Sequence, residues 1–421
     1  MGKVKAGAYQ KVADSVLLRI RPDPSVKKKC EKVVYEISAE LKKAKIEGDA
    51  VLGGSIAKGT FLRDDYDCDI FVRFALEKYR KKDISALLKK VLSKFRPEEV
   101  NGSRDYYQFE RDGIHFEIVP VLLIKKSGEA TNVIDVSPMH VAWIRKGLSR
   151  KKNLSDEVRL ARAFCKGIGV YGAESFINGF SGHVIDILTI YYGGFRELLS
   201  ASQKWKDKAV VDPEDYHRGK AIFSINKSKT EGPLVLVDPV QPYRNAAASI
   251  SKEKFETFKR EAGKFLKNPS ESFFTETGIE LKKEEGRLII EARSIPGKKD
   301  VAGCRVKKAF EYILEKLNEN DFKVISSAWE WDKKSAAHFS YSFDVKELKR
   351  IKAEHQVIKR GPPVSLKSHA AIFRKKYRSV FEKDGKLYAR VSREYTSPEQ
   401  LINMLAKDKY LKTKVSGIKL L

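Results

Sequence analysis

Residues 53–72, GGSIAKGTFLRDDYDCDIFV, open on two glycines and a serine and close by running aspartates into an apolar strand. Side chains alternate across a strand, so Asp67 and Asp69 share one face while Cys68, Ile70 and Val72 take the other. Two carboxylates at that spacing repel, and ionising both is costly without a cation between them. Mg²⁺ removes that cost: it is hard, takes oxygen ligands, and is held by one or two carboxylates together with substrate phosphates. Upstream, Gly53 and Gly54 let the backbone turn sharply after the short strand AVL (50–52). Ser55 then opens a helical turn whose hydroxyl and N–H groups suit a phosphate. Lys58 and Arg63 add positive charge, and Asp64 and Asp65 read as the turn before the strand. A phosphate-gripping turn followed by a DxD strand fits two-metal phosphoryl or nucleotidyl transfer. A second metal asks for one more carboxylate. The best candidate is Glu117, which alternates with Phe116 and Ile118 on a strand that must then lie beside DYDCDIFV.

Outward from this stretch the chain is α/β. Residues 24–48 carry Val26, Cys30, Val33, Ile37, Leu41 and Ala44 at helical spacing. Residues 83–95 read as a helix capped by Asp83. YYQFER (106–111) and IHFEIVPVLLI (114–124) read as strands joined by a tight Asp112-Gly113 turn. The basic stretch SRKKN (149–153) marks a boundary, after which the composition turns helical. Residues 155–169 have Asp156 and Glu157 in the first turn, residues 179–195 read as a buried helix capped by Ser181, and residues 251–266 as an amphipathic one. The last third alternates again, with strands at 287–295, 323–331 and 338–345 and a helix at 306–320, the order of a ferredoxin-like half. RGPPVSL (360–366) reads as a break. The expected fold is α+β and multidomain, with three parts: a head of mixed sheet and helices over 1–148, a helical central domain over 149–270, and an α/β body and tail over 271–421.

Composition limits the function. The 421 residues include 83 Lys and Arg against 56 Asp and Glu, a net charge of +27. Such a field favours a polyanionic partner, nucleic acid above all, over a merely solvated lysine-rich surface. From His355 onward there are 16 Lys and Arg against 5 Asp and Glu, interleaved with Phe373, Tyr377, Phe381, Tyr388 and Tyr395. No apolar run is long enough to span a membrane. The N-terminus carries no leader pattern. The four cysteines are far apart, which argues against a zinc site or disulfide framework and for a reducing, cytoplasmic setting.

The order strand, GGS, helical turn, DxD and a lone downstream carboxylate resembles the polymerase-β nucleotidyltransferase superfamily. With PMHVAW (138–143), EVRLARAFCKGIGVYGAE (157–174), GFSG (179–182) and VDPVQPYRN (237–245), the resemblance narrows to the archaeal-type, class I CCA-adding enzymes, the tRNA nucleotidyltransferases. It runs over about residues 10–421 and is weaker in the last third. The resemblance implies that Asp67, Asp69 and Glu117 bind two Mg²⁺, and that Gly54, Ser55, Lys58, His140, Arg162 and Tyr171 contact the nucleotide, with Thr60 beside the same pocket. It also implies that Arg244 helps select C or A together with the tRNA backbone. The family often has Glu first in its DxD pair, Asp at the third carboxylate, Arg in place of Lys58 and Lys in place of Arg162; the charges are kept at all four. Read from the residues alone, His140 could be a buried helix-entry histidine, Tyr171 a packing residue and Arg162 a solvated position, while Asp238 and Asn245 read as turn residues. The implied activity is template-independent addition of C, C and A to the tRNA 3′ end from CTP and ATP, with the basic, aromatic last third gripping tRNA. The family is often dimeric. The competing readings are another enzyme on the same catalytic core, such as a poly(A) or poly(U) polymerase or an oligoadenylate synthetase, and a non-enzymatic RNA-binding protein.

Overall fold

The computed structural model describes residues 2–276, 278–354 and 356–421, with side chains from residue 7. The chain forms two compact units, residues 1–276 and 277–421.

The first unit begins with helices α1 (Gly2–Ile20) and α2 (Pro24–Lys43), strand β1 (Gly48–Leu52), helix α3 (Gly54–Lys58) and strand β2 (Cys68–Ala75). It continues with α4 (Leu76–Tyr79), α5 (Ile84–Val91), β3 (Glu98–Val100), β4 (Tyr106–Arg111) and β5 (Ile114–Leu123). These strands make one sheet in the order β1-β2-β5-β4-β3, in which β2 and β5 run parallel and the other pairs antiparallel. The turn chemistry is as the residues dictate. Asp112 and Gly113 both take positive φ, at 52° and 72°, which suits a two-residue hairpin. Asp23 caps α2 through the Ser25 N–H, and Pro24 stands in its first turn. That helix stops at Lys43, short of residue 48, because the chain turns left-handed at Lys45 (φ 53°). Strand β2 starts at Cys68, so Asp67 sits at its doorstep rather than inside it.

Beyond the sheet come α6 (Ser137–Leu148), α7 (Leu154–Gly167), α8 (Gly182–Tyr192), α9 (Phe195–Ser202), β6 (Ala209–Val211), α10 (Ala221–Ser224), β7 (Leu234–Leu236) and α11 (Lys252–Lys267). Two large apolar cores result. One lies between the sheet and α2 and α5, and includes Cys30, Ile37, Cys68, Ile70, Leu88 and Phe116. The other joins α7, α8, α9 and α11 around Phe164, Phe195, Phe258 and Phe265. Tyr9, Ala13, Val16 and Leu17 of α1 belong to this second core, not to the first.

The second unit contains β8 (Arg287–Ser294), α12 (Lys299–Glu319), β9 (Val324–Trp331), β10 (Ala336–Phe343), α13 (Val345–Ala353) and β11 (Gln356–Pro363). It ends with α14 (Lys367–Lys376), β12 (Ser379–Lys383), β13 (Lys386–Ser392), α15 (Pro398–Leu405), α16 (Lys409–Lys412) and β14 (Val415–Leu420). The antiparallel order β14-β8-β10-β9 completes a ferredoxin-like sheet whose closing α15–β14 arrives only after a separate sheet, β11-β13-β12. Residues 360–363 are not a break: they finish β11, where the register against β13 skips between Arg360 and Pro363. Prolines are tolerated at such a strand end because no ladder N–H is demanded of them.

Candidate active site

The parallel pairing of β2 with β5 sets Asp69 directly opposite Glu117. Glu117 also accepts a hydrogen bond from Gln108 Nε2 on β4 at 2.6 Å. Burial, then the charges of Glu117 and Asp67, push the Asp69 carboxyl up to about 7, with Lys58 working in the other direction. The glycine turn lies against this carboxylate. Gly54 has φ +52°, and a Cβ there would fall 1.6 Å from Asp69 Oδ2; a Cβ at Gly53 would meet the Phe71 ring at 2.7 Å. The Gly53 N–H donates to the Asp69 carbonyl at 2.7 Å. Only glycine permits both this backbone conformation and this approach.

Across from these acids stands a wall of cations fixed by two fully buried carboxylates. Asp186, in the largely apolar helix α8, accepts from Lys58 Nζ at 3.0 Å and from Arg162 Nη2 at 2.6 Å. Burial alone would raise its pKa; Arg162 and Lys58 reverse that and hold it below the usual range. Asp238 accepts from His140 Nε2 at 2.9 Å, from His183 Nε2 at 3.4 Å and from Arg244. It too is held well below the carboxylate range against the push of burial, chiefly by the two histidines. The His140 and His183 rings lie 4.5 Å apart, and burial lowers the His183 pKa.

A cavity of about 460 Å³ lies between the two walls, lined by Gly54, Lys58, Asp69, His140, His183 and Arg244 together with Gln241 and apolar residues of 133–141. Other expected residues stand just outside it. Glu117 is Asp69's neighbour in the sheet, Asp67 is exposed at the strand's start, and Ser55 follows Gly54 in α3. Arg162 is not a solvated position: it is buried on Asp186. Tyr171 carries the Lys166 ammonium over its ring, and a Cβ at Gly182 would meet both its hydroxyl and the Arg162 guanidinium. Thr60 is fully buried behind the turn, and its Oγ1 has no partner among the described residues. Arg63 lies away from the cavity, its Nε donating to the Arg21 carbonyl.

Asp186 and His183 drew no notice in the sequence, and Asp238 reads there only as a turn residue. The signal for Asp186 was an acid inside GHVIDILTIYY, where a buried carboxylate must find a cation. Asp238 is more than a turn residue, since it anchors His140 and Arg244; Asn245 is structural, its side chain bonding Leu236 N, Ala247 N and the Leu234 carbonyl.

The donor chemistry distinguishes two sets. Among the described residues, the His/Cys/Asp/Glu set with ligand atoms within 4.8 Å of one another is His140, His183 and Asp238. Its carboxylate is already occupied by hydrogen-bond donors, and imidazoles suit softer metals than Mg²⁺. Asp67, Asp69 and Glu117 are less tightly gathered, but they offer only oxygen, and burial together with the charges of Glu117 and Asp67 outweighs Lys58 in raising the Asp69 pKa. This set fits a hard divalent cation.

A mixed sheet carrying acids on adjacent parallel strands, beneath a glycine turn, defines a polymerase-β-like nucleotidyltransferase, and residues 34–128 match the nucleotidyltransferase domain model. The fold agrees with solved structures of Cid1, an RNA terminal uridylyl transferase (TM-score 0.52, 14% identity, 64% of this chain and 98% of that one). It agrees equally with a cytoplasmic RNA terminal U-transferase (TM-score 0.51, 14% identity, 64% and 99%). The remainder of the chain is more specific. Residues 156–275 match the second domain of tRNA nucleotidyltransferase and 299–417 the C-terminal domain of the CCA-adding enzyme. The chain is 33% identical over 373 residues to the CCA-adding enzyme of Nanoarchaeum equitans, covering 87% of this chain and 90% of the relative. It is 31% identical over 407 residues to that of Methanocaldococcus jannaschii, covering 92% and 88%. The chain belongs to the CCA-adding enzyme family.

Proposed function

We propose that the chain adds and repairs the 3′-terminal CCA of tRNA from CTP and ATP, releasing pyrophosphate. The observation that carries this is one cavity lined by Asp69, beside Glu117, on one side and by Lys58, His140 and Arg244 on the other. In the reaction the terminal ribose hydroxyl attacks the α-phosphate; a P–O bond forms to the tRNA, the bond to the β-phosphate breaks, and the hydroxyl proton is lost. Asp67, Asp69 and Glu117 would hold two Mg²⁺. When bound, the metals supply a more acidic hydroxyl and neutralise charge on the leaving pyrophosphate. The Gly54 turn, Ser55, Lys58 and His140 bind the triphosphate, with Tyr171 and Arg162 behind them. Arg244 offers a guanidinium that can donate to a base edge and to a phosphate at once. We assign residues 1–148 to catalysis, 149–270 to nucleotide and tRNA contacts, and 271–421 to a grip on tRNA by shape and phosphate.

No helix among the described residues is long and apolar enough to cross a membrane. The four cysteines are free and three are buried, which suits a reducing compartment, so we propose a cytoplasmic location. The test is incorporation of labelled CTP and ATP, separately and together, into tRNA lacking its CCA. Addition that stops after three nucleotides is expected; a long homopolymer would overturn the reading in favour of a poly(A)- or poly(U)-type enzyme.

A further inference from the structure

We propose that Asp186 and Asp238 are positioning residues that split nucleotide recognition between them: Asp186 aims Lys58 at the triphosphate, and Asp238 aims Arg244 at the base. The inference rests on the function proposed above. Both side chains are 0% exposed. A buried carboxylate without partners is severely penalised, and hydrophobic residues of equal volume commonly give a core as much stability as a buried ion pair. Stability alone therefore does not account for two such acids flanking one cavity.

The contacts show what each acid fixes. Asp186 Oδ1 is filled by Arg162, through Nε at 3.0 Å and Nη2 at 2.6 Å, which leaves Oδ2 for Lys58 at 3.0 Å. Lys58 comes from the turn on the first core and Asp186 from a helix of the second, so this contact ties the two cores together at the cavity. A lysine ammonium has three donors. With one spent on Asp186, the rest remain for phosphate oxygens, and the lysine, whose charge already acts on Asp69, is kept from collapsing onto it. Without that tether, a flexible ammonium would neutralise the very acids that need a metal.

Asp238 is saturated differently. Its Oδ1 accepts from the N–H groups of Val240 at 2.9 Å and Gln241 at 3.0 Å, which fixes the loop, and from His140. Its Oδ2 accepts from Arg244 Nη1, while the Asp238 N–H donates to the Arg244 carbonyl at 2.9 Å. Arg244 is thus held at both backbone and side chain, yet its side chain is 47% exposed. The remaining guanidinium N–H groups stay available to a base edge. The same saturation argues against a metal at the His140–His183–Asp238 set.

The test uses the full chain, D186N and D238N, with tRNA lacking CCA, measuring kcat and KM for CTP and the CTP-over-UTP preference at the first step. Loss of one charge-assisted contact changes an equilibrium about 10-fold or more. D186N is therefore expected to raise the KM for CTP by about that factor at wild-type CTP-over-UTP preference, whereas D238N, which also loosens His140 and so raises the KM as well, lowers the preference by about the same factor. A merely structural role would move both variants alike, in Tm and in all kinetic parameters together. If the two variants change the preference by the same factor, or if D238N keeps the wild-type preference, the inference is wrong. Should D186N fail to fold, D186E, which keeps a carboxylate for Arg162 but displaces it from Lys58, carries the same test. D238E, which keeps the charge but displaces it, does so for D238N. A wild-type chain that does not stop after three nucleotides overturns the function itself; one that does, with no split between the variants, overturns only this inference.

Discussion

The two walls of the cavity hold aspartates of opposite character. On the head side, Asp69 faces Glu117 and Asp67 with too little positive charge nearby, and its carboxyl is pushed up to about 7. On the other side, Asp186 and Asp238 are more completely buried, yet cations and histidines hold both well below the usual carboxylate range. Burial acts in the same direction on all three, so the difference is one of partners. A compensated buried acid organises the protein around it. An uncompensated one can be completed from outside, and because Asp67, Asp69 and Glu117 offer only oxygen we propose a hard cation for that role.

Removing the uncompensated acid gives the largest expected effect. Asp69→Ala should lower turnover on the order of 10³-fold or more while tRNA binding persists, as measured by single-turnover incorporation and a filter-binding assay. Near-normal incorporation by this variant would falsify the assignment of the catalytic wall. Next is Gly54→Ala. The methyl group would meet Asp69 Oδ2 in a backbone conformation that alanine resists, so the turn or the carboxylate must shift. A displacement of that kind costs about 10²-fold in kcat, and an unchanged kcat would show that the turn does not set the acid's place.

The third effect is thermodynamic. Folded, Asp69 keeps its proton up to about pH 7; unfolded, it releases it near the ordinary aspartate value of 3.8. Between these limits the folded chain binds more protons, so stability falls as pH rises through this window and levels off above it. A divalent cation would offset both the burial and the repulsion that keep this proton on. Mg²⁺ should therefore raise Tm at pH 8 and have little effect at pH 5, with EDTA reversing the gain. Equal shifts at both pH values would contradict an uncompensated acid. The smallest effect belongs to the compensated wall: Lys58→Arg keeps the charge on Asp186 and adds a planar fork, so the KM for CTP should change by no more than about three-fold. A much larger change would mean that the compact ammonium itself is required there.

What could be read from residues 53–72 was local. The glycine turn, the Asp67 and Asp69 pair and the strand anchored by Cys68 and Ile70 depend on neighbours in sequence, and Glu117 could be guessed because a polar residue interrupting an apolar strand is conspicuous. The direct Asp69–Glu117 pairing needed a parallel register that no hairpin announces. The cation wall was the least legible part. Arg162 and Asp186 are 24 residues apart and Lys58 and Asp186 are 128 apart, so neither pairing leaves a mark in spacing. The VDPVQPYRN stretch drew attention to Arg244, but nothing in it said that Asp238 would be the buried partner of His140, 98 residues upstream.

Helix α1 changes how the first unit must be thought of as a chain. Its Tyr9 ring lies 6.1 Å from that of Phe265, and Arg19 pairs with Glu271 at 3.1 Å, so the beginning and the end of the unit close on each other. In topological terms the sheet that carries Asp69 is an insertion, looped out between α1 and α6 of a helical host. Excising the first 21 residues would leave the acids' own core whole and open instead the one that carries Asp186 and His183. The segment farthest in sequence from Arg244 is thus part of the foundation on which that arginine's neighbours stand.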